Sequence, residues 1–401
     1  MRGALVVVAL ILVPAVAAGV VHAADLQPAA ANDSGEDAPV NEIAHLSLTG
    51  DTSEGLTNQS VDAASAVSIG RSDATARLED YATAERLNRT NETVAVLNET
   101  VADLEARVGA LEADQRSTWM RYANGTTGSQ EFARDAAYLQ ARAARLDGRL
   151  SRVEGLASRY GAPSQNERID RLQRRILGHT GPVREQALAA MAGERSSLDL
   201  YVAGSENGTV LASIDGSEYV RDAYRTDRQQ SPPREISSNA EAFNRFQELY
   251  PVAFARSGAT TIQGVDGNET YLFLKQLSGY GSLLSYLDGN TRDAFHEVQR
   301  RDLETLDQPA SETATANGTR LVVNRSYTGG PLRIATYDAD TGNATPRPVR
   351  VGDRQLDPDG DGISWTLMPP GTQVDVTATT ANGSVSVTVE PLDLTPVNAS
   401  G

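Results

Sequence analysis

From Val94 to Leu111 the apolar residues fall alternately three and four positions apart: Val94, Leu97, Val101, Leu104, Val108 and Leu111. An α-helix turns once every 3.6 residues, so this spacing lines one edge of a helix with side chains that avoid water. Valine at a and leucine at d make it a heptad seam, extended upstream by Leu87. The pattern predicts one helix over 73–121, about 49 residues and about 73 Å long. "YANGTTGS" (122–129) breaks it with two glycines. A second seam follows through Phe132, Ala136, Leu139, Ala143, Leu146, Leu150, Val153, Ala157 and Tyr160. Across so short a turn, the simplest partner is the first helix folded back antiparallel. A parallel homodimer is the rival, because Val at a and Leu at d also favour two parallel strands. Shorter helices are expected at 165–178 and from Pro182.

After Glu194 the period changes. "LDLYVAG" and "TVLASI" flank Asn207-Gly208 and read as a β-hairpin, followed by "SEYVRDAYR". "NAEAFNRFQELYP" (239–251) reads as a helix. "TYLFLKQL" and "GSLLSYLDG" read as strands, and "TRDAFHEVQRRDL" (291–303) as a closing helix. Beyond "DQPASETATAN" the chain reads as all β. Val374, Val376 and Ala378 are expected to face Val385, Val387 and Val389 across Asn382-Gly383.

The expected fold class is therefore multidomain: an N-terminal α-helical coiled-coil hairpin, a central α+β domain and a C-terminal immunoglobulin/transthyretin-like β-sandwich. The expected boundaries are a signal peptide at 1–23, a mostly disordered tether at 24–72 and the hairpin at 73–193. The α+β domain follows at 196–308, a linker at 309–318, the sandwich at 319–392 and a tail at 393–401.

Compartment is read from the ends and the asparagines. Met1-Arg2-Gly3 precedes an unbroken apolar run, Ala4 to Val21, and Val21-His22-Ala23 fits a small-x-small cleavage pattern. The reading is an exported chain cut before Ala24; a retained N-terminal membrane anchor is the alternative. Of 18 asparagines, 13 stand in Asn-x-Ser/Thr, where chance predicts about three. The glycosylation candidates are Asn88, Asn91, Asn98, Asn124, Asn207, Asn268, Asn317, Asn324 and Asn382. On the heptad of the first seam Asn88 falls at b and Asn91 and Asn98 at e, so sugars there leave the packing edge free.

Composition narrows the partners. The chain carries 53 acidic against 36 basic residues, a net charge of −17. Lys275 is its one lysine. Acid excess with lysine depletion points to molar salt, where the Debye length falls to about 3 Å and charge serves hydration more than steering. Without a basic stripe, nucleic-acid binding is not expected. The chain has no cysteine, which excludes disulfides and thiolate chemistry.

The order of parts, with "YVRDAYR" (Tyr219 to Arg225) and "YLDGNTRDAFHEVQ" (Tyr286 to Gln299), resembles a family of exported haloarchaeal proteins of unknown function. That resemblance implies compartment and architecture and carries no site residues. Within the central domain, a helix ending "LYP", the strand "TYLFLKQL" and "SYLDGNTRDAF" resemble a PepSY-type unit. Such a unit is a helix on an antiparallel sheet whose last strand ends in an Asp-x-x-Thr-Gly-like turn. Here Arg292 stands where the glycine would be. This resemblance implies regulation or inhibition of an extracellular protease.

Motifs for chemistry are sparse. Four histidines occur: His22, His45, His179 and His296. "HEVQR" lacks the second histidine of a zinc-protease helix, so His296 reads as an exposed helix residue and His179 as a loop or cap residue. No nucleophile elbow, phosphate loop or dinucleotide fingerprint is present, so no catalytic residue, enzyme activity or organic cofactor is expected. "DPDGDGIS" places Asp357, Asp359 and Asp361 like the start of a calcium loop, but Met368 stands where the bidentate glutamate belongs. The expected partners are envelope proteins or a second copy through the coiled coil, and the membrane only through an uncleaved N-terminal segment.

Overall fold

The first seam folds as α2 (Thr93–Ala123) and the second as α3 (Ser129–Arg159) in a computed structural model that describes residues 44–229, 235–265, 270–306, 311–356 and 360–393. Leu97, Val101, Leu104, Val108 and Leu111 are fully buried, against Leu139, Ala143, Leu146, Leu150, Val153 and Ala157. Burying each such leucine or valine stabilises by about 1.5–3 kcal/mol. The helices are antiparallel: Arg121 meets Asp135 at 2.7 Å and Arg142 meets Asp114 at 2.6 Å. Then α4 (Ser164–Ile176) returns alongside α2, where Arg168 reaches Glu105 and Arg175 reaches Glu112.

The single helix expected over 73–121 is two. α1 (Ala63–Arg89) ends at Thr90, whose backbone is extended and whose hydroxyl accepts from the Glu92 amide at 3.0 Å. Thr90-Asn91-Glu92 thus offers the backbone a local turn in place of helix. Val94, counted on the seam, falls in the first turn of α2 and is 47% exposed; burial begins at Val96 and Leu97.

α1 is held mainly by charge. Its buried residues are Ser65 and Leu87. Its inward face carries Asp73, Glu79 and Asp80. Arg145 meets Asp73 at 3.0 Å, Arg149 meets Glu79 and Asp80 at 2.5 and 3.1 Å, Arg152 meets Asp80 at 2.5 Å and Arg107 meets Glu79 at 2.9 Å. The Arg149 side chain is 6% exposed, which shields its bonds from salt. Replacing Arg149 by alanine should weaken α1 docking by on the order of 2 kcal/mol. In hydrogen-exchange mass spectrometry α1 amides should exchange about thirtyfold faster while the α2–α3 core keeps its protection. Uniform acceleration across all three helices would show that α1 is not a separate docking unit.

α5 (Pro182–Ala192) leads into an eight-stranded antiparallel sheet of order β1-β2-β3-β4-β8-β7-β6-β5. Its strands are β1 (Ser53–Ser60), β2 (Ser197–Ser205), β3 (Gly208–Asp215), β4 (Glu218–Arg225), β5 (Thr260–Val265), β6 (Thr270–Leu277), β7 (Gly281–Asp288) and β8 (Ala294–Asp302). Two expectations are corrected here. Residues 44–72 are not tether: Ala44 to Leu46 are buried, β1 pairs with β2 along its whole length, and α1 begins at Ala63. As an edge strand with one buried side chain, Gln59, β1 leaves no apolar alternation to read. The closing helix expected at 291–303 is instead β8, in the middle of the sheet between β4 and β7. Its polar residues looked like a solvated helix face, but they are buried in the strand and partner one another.

The sheet is covered on both faces. α2, α3 and α5 pack on one face of β2, β3, β4 and β8 around Trp119, Phe132, Val183, Leu200 and Val298. On the other, α6 (Asn239–Leu249) and α7 (Pro251–Ala255) cover β6 and β7 through Phe246, Tyr250, Tyr271 and Phe273. The rest of that face is covered by residues 44–48 and the C-terminal sandwich, where Leu46, Tyr201, Tyr219, Tyr327 and Leu367 cluster.

The sandwich pairs a sheet of order β14-β11-β10-β9 with one of order β13-β12-β15-β16. The first holds β9 (Ser311–Ala316), β10 (Thr319–Asn324), β11 (Pro331–Asp338) and β14 (Ile363–Leu367). The second holds β12 (Val349–Val351), β13 (Arg354–Leu356), β15 (Val374–Thr380) and β16 (Gly383–Val389). Val374, Val376 and Ala378 face Val389, Val387 and Val385, as their alternation predicts. Most of the expected linker is β9, paired with β10 across Asn317-Gly318. Both turn residues have positive φ, 51° and 71°, the backbone that makes Asn-Gly a hairpin signal.

Candidate functional site

The two segments "YVRDAYR" and "YLDGNTRDAFHEVQ" are not adjacent in sequence, yet the sheet sets them side by side as β4, β8 and β7. A strand sends successive side chains to opposite faces. Each face of this strand trio therefore receives its own set of buried polar groups.

On the face shared with the sandwich the central group is Glu297, fully buried. Its carboxylate accepts from Arg221 Nη1 at 3.0 Å, the Leu46 amide at 3.0 Å, Tyr250 Oη at 2.8 Å and Gln299 Nε2 at 3.0 Å. Arg221 also donates to the Leu46 carbonyl at 2.8 Å, and Gln299 to the Ala44 carbonyl at 3.0 Å. Side chains of β4 and β8 thus hold residues 44–46. His45 Nε2 accepts from Arg301 at 3.0 Å and lies 3.0 Å from Tyr327 Oη, which donates to Tyr219. Tyr219 Oη in turn donates to the Gly329 carbonyl at 3.1 Å, tying the sheet to the sandwich. Burial pushes the Glu297 carboxyl up, with Arg221 and then Tyr250 pulling the other way. Burial, then Arg221 and Arg301, hold the His45 imidazole well below its ordinary value.

On the helical face Asp222 Oδ1 lies 3.1 Å from His296 Nε2, and Arg184 lies 3.6 Å from Oδ2. Burial alone would raise the Asp222 carboxyl, but Arg184 and His296 outweigh it and hold it below the usual carboxylate range. His296, expected on an exposed helix, is 4% exposed on a strand. Tyr286 stacks on its ring at 5.4 Å and Tyr224 meets it edge-on at 5.7 Å. The loop "GHTG" (178–181) presses onto this pair: a Cβ at Gly181 would lie 1.7 Å from Asp222 Oδ2. Burial, then Arg184, lowers His179 in that loop to about 3. What both networks do physically is fasten chain segments: residues 44–46 on one face, the 178–181 loop on the other.

An open groove of about 430 Å³ lies between α1 and the hairpin, lined by Arg71, Arg107, Arg142, Arg145, Arg149 and Glu79. Arg107, Arg142, Arg145 and Arg149 are matched to the carboxylates of Glu79, Asp114, Asp73 and Asp80. Its charge thus serves mostly to dock α1.

The residues singled out from sequence fall in three groups. Asn88, Asn91, Asn98, Asn124, Asn317 and Asn382 are exposed and Asn207 is half-buried. The Asn98 side chain accepts from Gln165 at 2.8 Å, and a glycan on that amide would have to coexist with α4. Asn324 is 7% exposed, and its Oδ1 accepts from Arg333 at 3.2 Å. Asn268, Asp357 and Asp359 lie outside the described residues. Asp361 is exposed, and its carboxylate accepts from the Ile363 amide at 2.9 Å, a turn contact. Among the described residues no three His, Asp or Glu side chains converge as a metal site. Sequence reading missed Glu297, Arg221, His45 and Arg301. The available signal was charge at alternate positions of "YVRDAYR" and "HEVQRR", the second of which reads as a helix.

Three family profiles match successive parts of the chain. A domain of unknown function (DUF7096) covers residues 1–196, and a family of unknown function (DUF7094) covers 200–307. An archaeal fibronectin-III type-like domain covers 310–387, the two sheets of the sandwich. These agree with an archaeal chain of unknown function with a C-terminal β-sandwich. No curated protein matches it.

Proposed function

We propose that this chain is a non-enzymatic exported protein of a halophile's cell envelope, a structural or interaction module in which a coiled-coil hairpin, a central sheet domain and an immunoglobulin-like sandwich form one body. The observation that carries this reading is the surface position of the sequons. Six of the nine candidates, Asn88, Asn91, Asn98, Asn124, Asn317 and Asn382, are exposed residues, as acceptors of bulky solubilising sugars must be, although the Asn317 amide donates to the Ser384 carbonyl at 2.8 Å. Among the described residues no helix is long and apolar enough to cross a membrane. Attachment, where it occurs, then falls to the apolar run Ala4 to Val21.

Glycopeptide mass spectrometry on separate envelope and medium fractions tests this. The expected result is a mature N-terminus at Ala24 with sugar on at least one of Asn88, Asn91 and Asn98, and none on Asn324. An intact Met1 in the membrane fraction would make the protein anchored. Bare asparagines on a chain retained inside the cell would refute the surface reading.

One observation favours a PepSY-like regulator of an extracellular protease as a second reading. Arg292 has φ of 63°, the left-handed backbone that glycine takes most readily. The turn thus keeps the glycine-like shape although the residue differs, and Asp288 Oδ1 accepts from the Asn290 and Thr291 amides at 2.7 and 3.0 Å. Purified protein that slowed no secreted protease of its source would count against it.

A further inference from the structure

α1 is inside out. The helix faces the protein with Asp73, Glu79 and Asp80, and presents Val67, Leu78 and Tyr81 to solvent at 72%, 71% and 72% exposure. Helices on globular proteins turn their apolar side inward. Large exposed apolar side chains are otherwise scattered among the described residues, but three of the seven lie on this one helix, with a fourth, Val61, just before it.

The exposed face has a symmetric order. Counting from Leu78, Ala74 lies four residues before and Ala82 four after; Arg71 lies seven before and Glu85 seven after. All five are exposed, with Arg71 also at the rim of the groove between α1 and the hairpin. Steps of three and four keep them on one helix edge. If a second α1 is laid antiparallel with Leu78 on the two-fold axis, Leu78 meets Leu78. Each Ala74 meets an Ala82, which lets the backbones approach, and each Arg71 meets a Glu85. These five positions are complementary to themselves in charge and in size, which is what an isologous interface requires, while Val67 comes opposite Arg89 and Tyr81 opposite Thr75. Among the described residues Glu85 is otherwise engaged only by Arg89 one turn on, at 3.8 Å with both side chains exposed, a pair worth little.

We propose that α1 is a self-association surface, and that two copies of this chain pair through antiparallel α1 helices about Leu78. The proposal names a partner for the envelope module above and rests on that reading only for where pairing occurs. The pairing itself is read on purified protein, so its failure leaves the export test untouched. One helix pair is smaller than the about 1,200 Å² of a standard stable interface, so the dimer is weak and forms where chains are concentrated.

Sedimentation equilibrium of the full chain, in a non-ionic detergent that covers the run Ala4 to Val21, tests it in 0.3 M KCl. A monomer–dimer equilibrium is expected, weakened at least tenfold by Leu78→Asp. That site is exposed, and unchanged circular dichroism and thermal melting would show the fold intact. Arg71→Glu and Glu85→Arg should each weaken pairing about threefold to tenfold, since each places like charges together twice. The double variant R71E/E85R should return to within about twofold of the parent. A monomer at every concentration would overturn the proposal. So would a dimer indifferent to Leu78→Asp, as association through the N-terminal run would be, or a double variant no better than the singles.

Discussion

Replacing Glu297 by alanine should destabilise the protein by about 3–5 kcal/mol, the usual cost of removing one partner of a buried ion pair. The carboxylate is fully buried and accepts from Arg221, Gln299, Tyr250 and the Leu46 amide. Its removal leaves the Arg221 charge without its carboxylate at 3% exposure and strands a backbone amide. Glu297→Gln keeps an acceptor and should cost less. The double variant Arg221→Met with Glu297→Leu should recover much of the loss, because it removes both charges together. Guanidinium melts of the four proteins in a common salt give the comparison. A single-variant cost under about 1 kcal/mol would show that residues 44–46 are held by something other than this carboxylate.

Acidification should be costly too, through the histidines. The His179 imidazole in the folded protein takes a proton only at about 3, whereas in the unfolded chain it does so near 6.5. Its contribution to stability is therefore complete above that value and is lost progressively as pH falls from about 6.5 to about 3. The slope is about 1.4 kcal/mol per pH unit for each such histidine. His45, also held well below its ordinary value, adds a second loss in the same direction. Glu297 opposes both: its folded carboxyl is raised, so it gains protons before the unfolded chain does and favours the folded state as the pH nears its ordinary range. His179→Gln should flatten the curve between pH 6 and 5 by about 1.4 kcal/mol per unit. An unchanged slope would place the sensitivity elsewhere, His45 first.

The helical part was legible because its signal is local. Leu97 to Leu111 and Phe132 to Ala157 repeat at the helix period, and their partner lies one short turn away. The valines of β15 and β16 were legible for the same reason. β8 was not. Glu297, Gln299 and Arg301 are tolerable inside a sheet because Arg221, Leu46 and His45 meet them there, from as far as 256 residues away in sequence. No window on "HEVQRR" contains those partners. β1 and β9 failed differently: edge strands bury too little to need alternation. For the sites, the exposed sequons could be read one by one, but the burial of Asn324 follows from its strand, not its tripeptide. α1 was read as a continuation of the α2 seam, when its carboxylates are on the side that faces the protein.

The clamp on residues 44–46 also sets how the molecule would carry mechanical load. A chain held to a cell by its N-terminal segment is pulled at Ala44. That pull would not peel β1 from the edge of the sheet. It would reach β4 and β8, the two middle strands, through the Gln299, Arg221 and Glu297 side chains. Several short bonds would share the tension in parallel, and the neighbouring strands would brace them from both sides. The helices, which follow β1 in the chain, would lie off the line of force.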